Sequence, residues 1–375
     1  MESIEYYIDK SFEMKNGSVG GSAAYLFDDV ALVKYVLSTE YGKARANEEE
    51  IAKIVKQKNE EGVRTPKHIA IKREVIDDKN ICWVLQEKAV GETFTEYAQV
   101  YSENVAEQLK RQYILAAAPS RHYERFISDI CSLFNMGLEL KPKNFFYDIN
   151  EGFTIIDLLE ANETPINFNS LEEIVRLNAL ARSVFNFTCV SSYNKYATDE
   201  QRELSRNLNY KIMLRVLEAM EKVVPDFERY KRWVLRKYSQ EELEFLKVNN
   251  YYNGDLKLTL EEKKYFWQKI NEIVNTCLIK ISNGEVEYWE IEANEIRIAL
   301  SSCGISEAWL YSDDNKLVPS DYDDNYEYEM SCSDMLMDKC MELFNIRLQE
   351  LANNSNNEFI TRAINEMEKK KKHQI

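Results

Sequence analysis

The chain has 375 residues, 45% of them hydrophobic, with 64 Asp and Glu against 48 Lys and Arg. That length and apolar share can bury one large core or two ordinary ones, and a net charge of −16, concentrated in residues 251–350, repels phosphate backbones and argues against a nucleic-acid partner. Seven scattered cysteines without a CxxC pair, three histidines outside any metal-ligand spacing and the lack of a long apolar run exclude disulfide scaffolds, histidine chemistry and a membrane span; a reduced, cytoplasmic setting is expected.

Residues 1–92 read as strands with one inserted helix. Strands are expected over residues 6–14, 23–27 and 30–37, the first two joined by a Gly/Ser-rich turn and the last two by Asp28 and Asp29. A helix over residues 46–58 puts Ile51, Ile54 and Val55 on one side before Gly62 and Pro66 break it. Two more strands follow at 67–75 and 81–87, the second a dense apolar run of the kind buried in a sheet.

Beyond Gly91, apolar positions 123, 126, 127, 130, 133 and 134 make a helical stripe that Gly137 would close. Residues 145–148 and 153–157 form a hairpin around Asn150, Glu151 and Gly152. Helices are then expected over 171–187, 199–223, 226–237, 260–281 and 333–351, with an acidic, Tyr-rich loop at 312–329.

Three stretches carry chemistry. Gly17, Ser18, Gly20, Gly21 and Ser22 lie where glycines let backbone N–H groups cradle phosphates, although a Gly-rich turn alone is more often only a turn. Lys34 ends the apolar run from Val30, and a charge there needs a partner; Glu50, on the side of Ile54, is the first choice and Glu49 the second. Glu139, Lys141 and Asn144 precede the hairpin and Asp157 ends it, so a carboxylate, an amide and a second carboxylate are spaced to converge on a magnesium nucleotide. Singly, Lys34 reads as an edge lysine and Asn144 and Asp157 as turn residues; it is their joint order that such ordinary roles do not produce.

That order resembles the protein kinase superfamily over residues 10–190, and its hinge, Glu87 to Gly91, is similar to that of aminoglycoside and choline phosphotransferases. The resemblance implies an α+β, protein-kinase-like two-lobed fold: an N-lobe of antiparallel sheet plus helix (1–92), a mostly helical C-lobe (93–240) and a helical C-terminal extension (241–375). It also implies that Lys34 anchors the phosphates of ATP, Glu50 orients it, and the backbone of Glu87 and Ala89 receives adenine. Asn144 and Asp157 would hold Mg²⁺, with Lys141 in the catalytic loop and Glu139 as base. The chain departs from the pattern at Glu139, where the family has aspartate, at Gly137, where it has histidine, at Leu158 and Leu159 after Asp157, and at Lys15 in place of the first glycine. The expected function is an ATP- and Mg-dependent phosphotransferase acting on a small hydroxylated molecule. The alternative is a pseudokinase that binds nucleotide, or only keeps the fold, and serves as an interaction module.

Overall fold

The computed structural model describes residues 2–14, 23–37, 48–94, 102–133, 144–156, 158, 168, 170–186, 188–302, 304–305, 308 and 325–373. It opens on a helix, α1 (Ile4–Ser11), where the sequence predicts a strand. Ile4, Ile8 and Ser11 recur every three or four residues and all are buried, so a helical stripe packed on the sheet prevails over the weak alternation of the segment. The Gly-rich stretch therefore follows a helix and not a strand.

Four antiparallel strands come next, in the order β1-β2-β4-β3: β1 (Ala23–Leu26), β2 (Val30–Val36), β3 (His68–Ile76) and β4 (Lys79–Glu87). Helix α2 (Glu48–Glu60) is inserted between β2 and β3, as expected. Apolar β4 lies inside the sheet, and β3 turns into it through Asp77 and Asp78, both at positive φ as a two-residue hairpin turn demands. The register pairs Lys34 with Trp83 and Tyr35 with Cys82, which sorts the side chains onto two faces. One face carries Leu32, Val36, Ile81, Trp83 and Leu85 under Ile4 and Ile8 of α1; the other carries Val33, Tyr35, Cys82, Val84 and Ile71.

A second sheet runs β5 (Glu92–Thr93), β6 (Phe145–Asp148), β7 (Gly152–Ile155). Gly91 leads into it at φ +96°, and an added Cβ there would lie 2.3 Å from the Tyr147 carbonyl oxygen, so the approach of the two backbones requires glycine. Helices α3 (Val105–Ala116), α4 (Ser120–Leu133), α5 (Leu171–Asn186) and α6 (Asp199–Val223) complete this part. Phe94, Tyr123, Phe126, Phe153 and Phe185 form its aromatic core, with neighbouring rings 4.8–6.1 Å apart and mostly edge-on or tilted. Helix α3 lies outside the predicted elements. Buried Gln112 ties it to α6, donating to the Ser205 carbonyl and accepting from the Ser205 hydroxyl, both at 2.8 Å.

The chain divides into two compact units, residues 1–168 with 177–225, and 169–176 with 226–375. The second unit is helical: α7 (Phe227–Leu235), α8 (Gln240–Val248), α9 (Leu260–Ser282), α10 (Tyr288–Glu290), a π-helical turn (Ile291–Glu295), α11 (Ile296–Ser302), α12 (Asn325–Asn354) and α13 (Glu358–His373). Its buried ionic centre is Arg236, whose Nη2 lies 2.9 Å from Glu262, with Arg232 on the other carboxylate oxygen at 3.1 Å. The protein is thus α+β, with an antiparallel sheet first and helices after it. Among the described residues no helix is long and apolar enough to cross a membrane.

Candidate functional site

Strand β2 was expected to present Lys34 to the helix that follows it. Side chains alternate along a strand, so Lys34 shares a face with Leu32, Val36 and Trp83, the face on which α1 packs. Its ammonium lies over the Trp83 ring, 5.5 Å from the centroid, and Phe12 meets the same ring edge-on at 6.2 Å. Trp83 in turn donates its indole N–H to Glu74 at 2.6 Å. Helix α2 engages the sheet on the other face: Glu49 accepts a two-bond fork from Arg73 of β3, Nε to Oε1 at 2.9 Å and Nη2 to Oε2 at 2.6 Å, and Arg73 stands opposite Cys82. That fork holds the Glu49 carboxyl below its ordinary range. Lys34 and Glu49 are therefore not brought together. The backbone of Glu50 belongs to α2, and its side chain lies outside the described residues, as do Gly17, Ser18, Gly20, Gly21, Ser22, Glu139, Lys141 and Asp157.

At the end of β4, the Glu87 N–H donates to the Lys67 carbonyl at 2.9 Å and the Lys88 N–H to the Asp29 carbonyl at 3.2 Å. The strand end is thus fastened on both sides, with Ala89 half-buried beyond it and Gly91 against β6. Asn144 is 4% exposed immediately before β6, and its carbonyl accepts the Ile156 N–H at 2.8 Å. The hairpin accordingly puts the backbone of Asn144 beside the residue that precedes Asp157.

A charged cluster that sequence reasoning passed over bolts the α2–β3 connection to this hairpin. Asp129 of α4, 3% exposed, accepts from the Arg64 backbone N–H at 3.3 Å and from Arg125 Nε at 2.9 Å. Arg125 also donates to the Gly62 carbonyl, and Arg64 reaches the Glu151 carboxylate in the hairpin turn at 2.9 Å while its carbonyl accepts the Ile155 N–H at 3.0 Å. Burial pushes the Asp129 carboxyl up to about 6, against the pull of Arg125 and Arg64. Its only sequence signal is an Arg four residues before an Asp on a predicted helix, a pattern that usually marks an exposed pair.

No family model matches the chain. No curated protein matches it either. Among solved structures, a MAP kinase from Leishmania major aligns over 91% of this chain and 98% of its own length, at 11% identity and a TM-score of 0.26. A likeness of that degree decides nothing about fold or function, which rest on the geometry of this chain.

That geometry divides the expected ATP site in two. The base-receiving half has a fastened strand end beside an apolar sheet face. The phosphate-receiving half lacks its expected lysine on that face, and among the described residues no group of three His, Cys, Asp or Glu side chains is placed to hold a metal ion.

Proposed function

We propose that the first unit is a protein-kinase-like module that binds a ligand, or a partner, without transferring phosphate. The support for kinase likeness is internal: a four-stranded antiparallel sheet with one helix inserted after its second strand, a strand end leading by glycine into a second sheet, and a hairpin opened by a buried asparagine. The observation that carries the non-catalytic reading is the position of Lys34, on Trp83 and under α1, on the face opposite the Glu49–Arg73 fork. A transferring site needs a cation fixed on the phosphates, because phosphoryl transfer is almost entirely positioning and charge stabilisation. The test is incubation with Mg·ATP and a library of small alcohols and amines, followed by mass spectrometry of the products. No phosphorylated product is expected, and any product dependent on the folded protein overturns the reading.

Asn144 favours a second reading, the phosphotransferase acting on a small hydroxylated molecule. Its support is an asparagine buried at the mouth of the hairpin whose carbonyl accepts the Ile156 N–H; in this reading the Asn144 amide would hold a metal together with Asp157. Under this reading Glu139→Gln lowers turnover by roughly 10²- to 10⁴-fold with little change in ATP affinity, and Asp157→Ala removes the magnesium dependence of ATP binding. Glu139→Asp, which restores the family's residue, separates a site built around the longer side chain, which loses activity, from a degenerate one, which gains it.

A further inference from the structure

The second unit has a recess between the turn that joins α9 to α10 and the first half of α13. Ile281, Tyr288 and Ala363, each buried, make its floor. Phe359 closes one end: its ring stands so near Gly284 that a Cβ there, at φ +71°, would lie 2.6 Å from it, and yet the ring is 40% exposed. The space is about 60 Å³, room for one aliphatic side chain and far below the size of a cofactor pocket.

The mouth of the recess carries charge. Arg362 donates to Glu287 Oε1 at 2.5 Å and its Nε lies 3.6 Å from Glu366, so two carboxylates share one guanidinium. The other Glu287 oxygen accepts the indole N–H of Trp289 at 3.0 Å, and that indole is 56% exposed. The turn itself is acidic throughout: residues 283–295 include Glu285, Glu287, Glu290, Glu292 and Glu295 and no Lys or Arg, and Lys280, just before it, is engaged by Glu295. Arg362 and Glu287 are open to water, and an ion pair so exposed contributes little, so an incoming cation can take the place of Arg362 on Glu287. Exposed aromatic side chains beside a pocket are the residues on which protein interfaces concentrate their binding energy.

We propose that this recess is a docking site for a basic segment of a partner protein, which seats one aliphatic side chain on Ile281, Tyr288 and Ala363 and sets a Lys or Arg against Glu287. The sign of the charge selects the occupant: the chain's own loop 312–329 has seven Asp and Glu against one Lys, and the rim repels it. The proposal concerns the second unit alone, so its failure leaves the reading of the first untouched. Fluorescence anisotropy on the full-length protein tests it, with labelled short peptides that carry Leu, Ile, Met or Ala at the centre and Lys, Ser or Glu on both sides. Lys-flanked aliphatic peptides are expected to bind about tenfold more tightly than the Lys-flanked Ala peptide, and Glu-flanked ones not at all. Glu287→Lys is expected to weaken every Lys-flanked peptide by about tenfold, and Ala363→Leu, which fills the recess, to bring the aliphatic peptides down to the level of the Ala one. Melting curves verify folding, and Trp289→Ala, at an exposed position, is expected to weaken the same peptides and keeps the test decisive if Ala363→Leu does not fold. Binding that follows peptide charge alone, equal for Leu and Ala and unmoved by the variants, is unspecific attraction and overturns the proposal. So does the absence of binding by any peptide at millimolar concentration. Self-association in sedimentation that Glu287→Lys abolishes would give the recess to a second copy of this chain, through its basic run Lys369 to Lys372, and overturns the proposal as well.

Discussion

Replacing Glu262 with alanine removes the counter-charge of a guanidinium that has no access to water. The Arg236 side chain is fully buried, and Glu262 is 14% exposed; its Oε2 accepts from Arg236 Nη2 and from the Thr259 N–H, both at 2.9 Å, and its Oε1 from Arg232 Nε at 3.1 Å. In the variant Arg236 keeps, among its other contacts, a bond from Nε to the Leu256 carbonyl at 2.9 Å and the Trp233 face at 5.0 Å. Breaking a buried pair from one side leaves an uncompensated charge and costs about 3–5 kcal/mol, to which the lost capping box at Thr259 adds about 1 kcal/mol. With a urea slope of about 1–3 kcal/mol/M, the unfolding midpoint of the second unit is expected to fall by 1 M or more. Tryptophan fluorescence is suited to the measurement because four of the five tryptophans (Trp233, Trp267, Trp289 and Trp309) lie after residue 226, leaving Trp83 alone in the first unit. A loss below about 1 kcal/mol would refute the argument, since that is the scale of an exposed ion pair. The double replacement Arg236→Met, Glu262→Leu supplies the control: an apolar pair of similar volume should recover most of the loss, because it leaves no charge buried alone.

Other expectations follow from the same kind of reasoning. At Glu262 burial raises the carboxyl, but Arg236, the Thr259 N–H and Arg232 outweigh it and its pKa lies below the ordinary value of 4.5; the stability it contributes is present above that value and is lost as pH falls through the lower folded one, a slope that Glu262→Gln should flatten in acid titrations of fluorescence. Asp129 has the opposite sign: with its carboxyl pushed up to about 6, native protein binds the proton more tightly than unfolded chain, so its contribution is largest below pH 4 and is lost as pH rises through 6, and Asp129→Asn should remove that slope from melting curves of the first unit. Gly91→Ala places a Cβ against the Tyr147 carbonyl at positive φ and should cost more than about 2 kcal/mol, read as a lowered melting temperature; an unchanged one would mean that the two backbones are not in contact. Glu49→Gln weakens a fork whose partners are 39% and 56% exposed, and a loss above about 1 kcal/mol would contradict that exposure.

Much of the architecture was legible because it follows from short-range chemistry. Period-2 apolar runs and the turns at Asp28-Asp29 and Asn150 to Gly152 place strands β1, β2, β3, β4, β6 and β7 within a few residues, and the expected helix over 199–223 coincides with α6. Helices α3, α8 and the run from Tyr288 to Ser302 lie outside the expected elements, α8 although Ser239 and Glu242 cap its start, and α1 is expected as a strand because its eight residues satisfy either period loosely. Only burial of Ile4 and Ile8 on the sheet selects the helix.

The sequence by itself determined that a lysine closes an apolar strand, that an acidic helix follows it and that an asparagine opens a hairpin, because residue type and spacing are all those statements need. The tertiary structure decided which way Lys34 points. A strand offers two opposite faces, the residue string does not say which of them meets α2, and that assignment comes from the Trp83 pairing, from the packing of α1 and from the reach of Arg73 to Glu49. It decided Asp129 as well: four residues after Arg125 on a helix the pair reads as exposed, and it becomes a buried junction only because Gly62, Arg64 and the β6–β7 turn converge on it from parts of the chain 22 to 67 positions away.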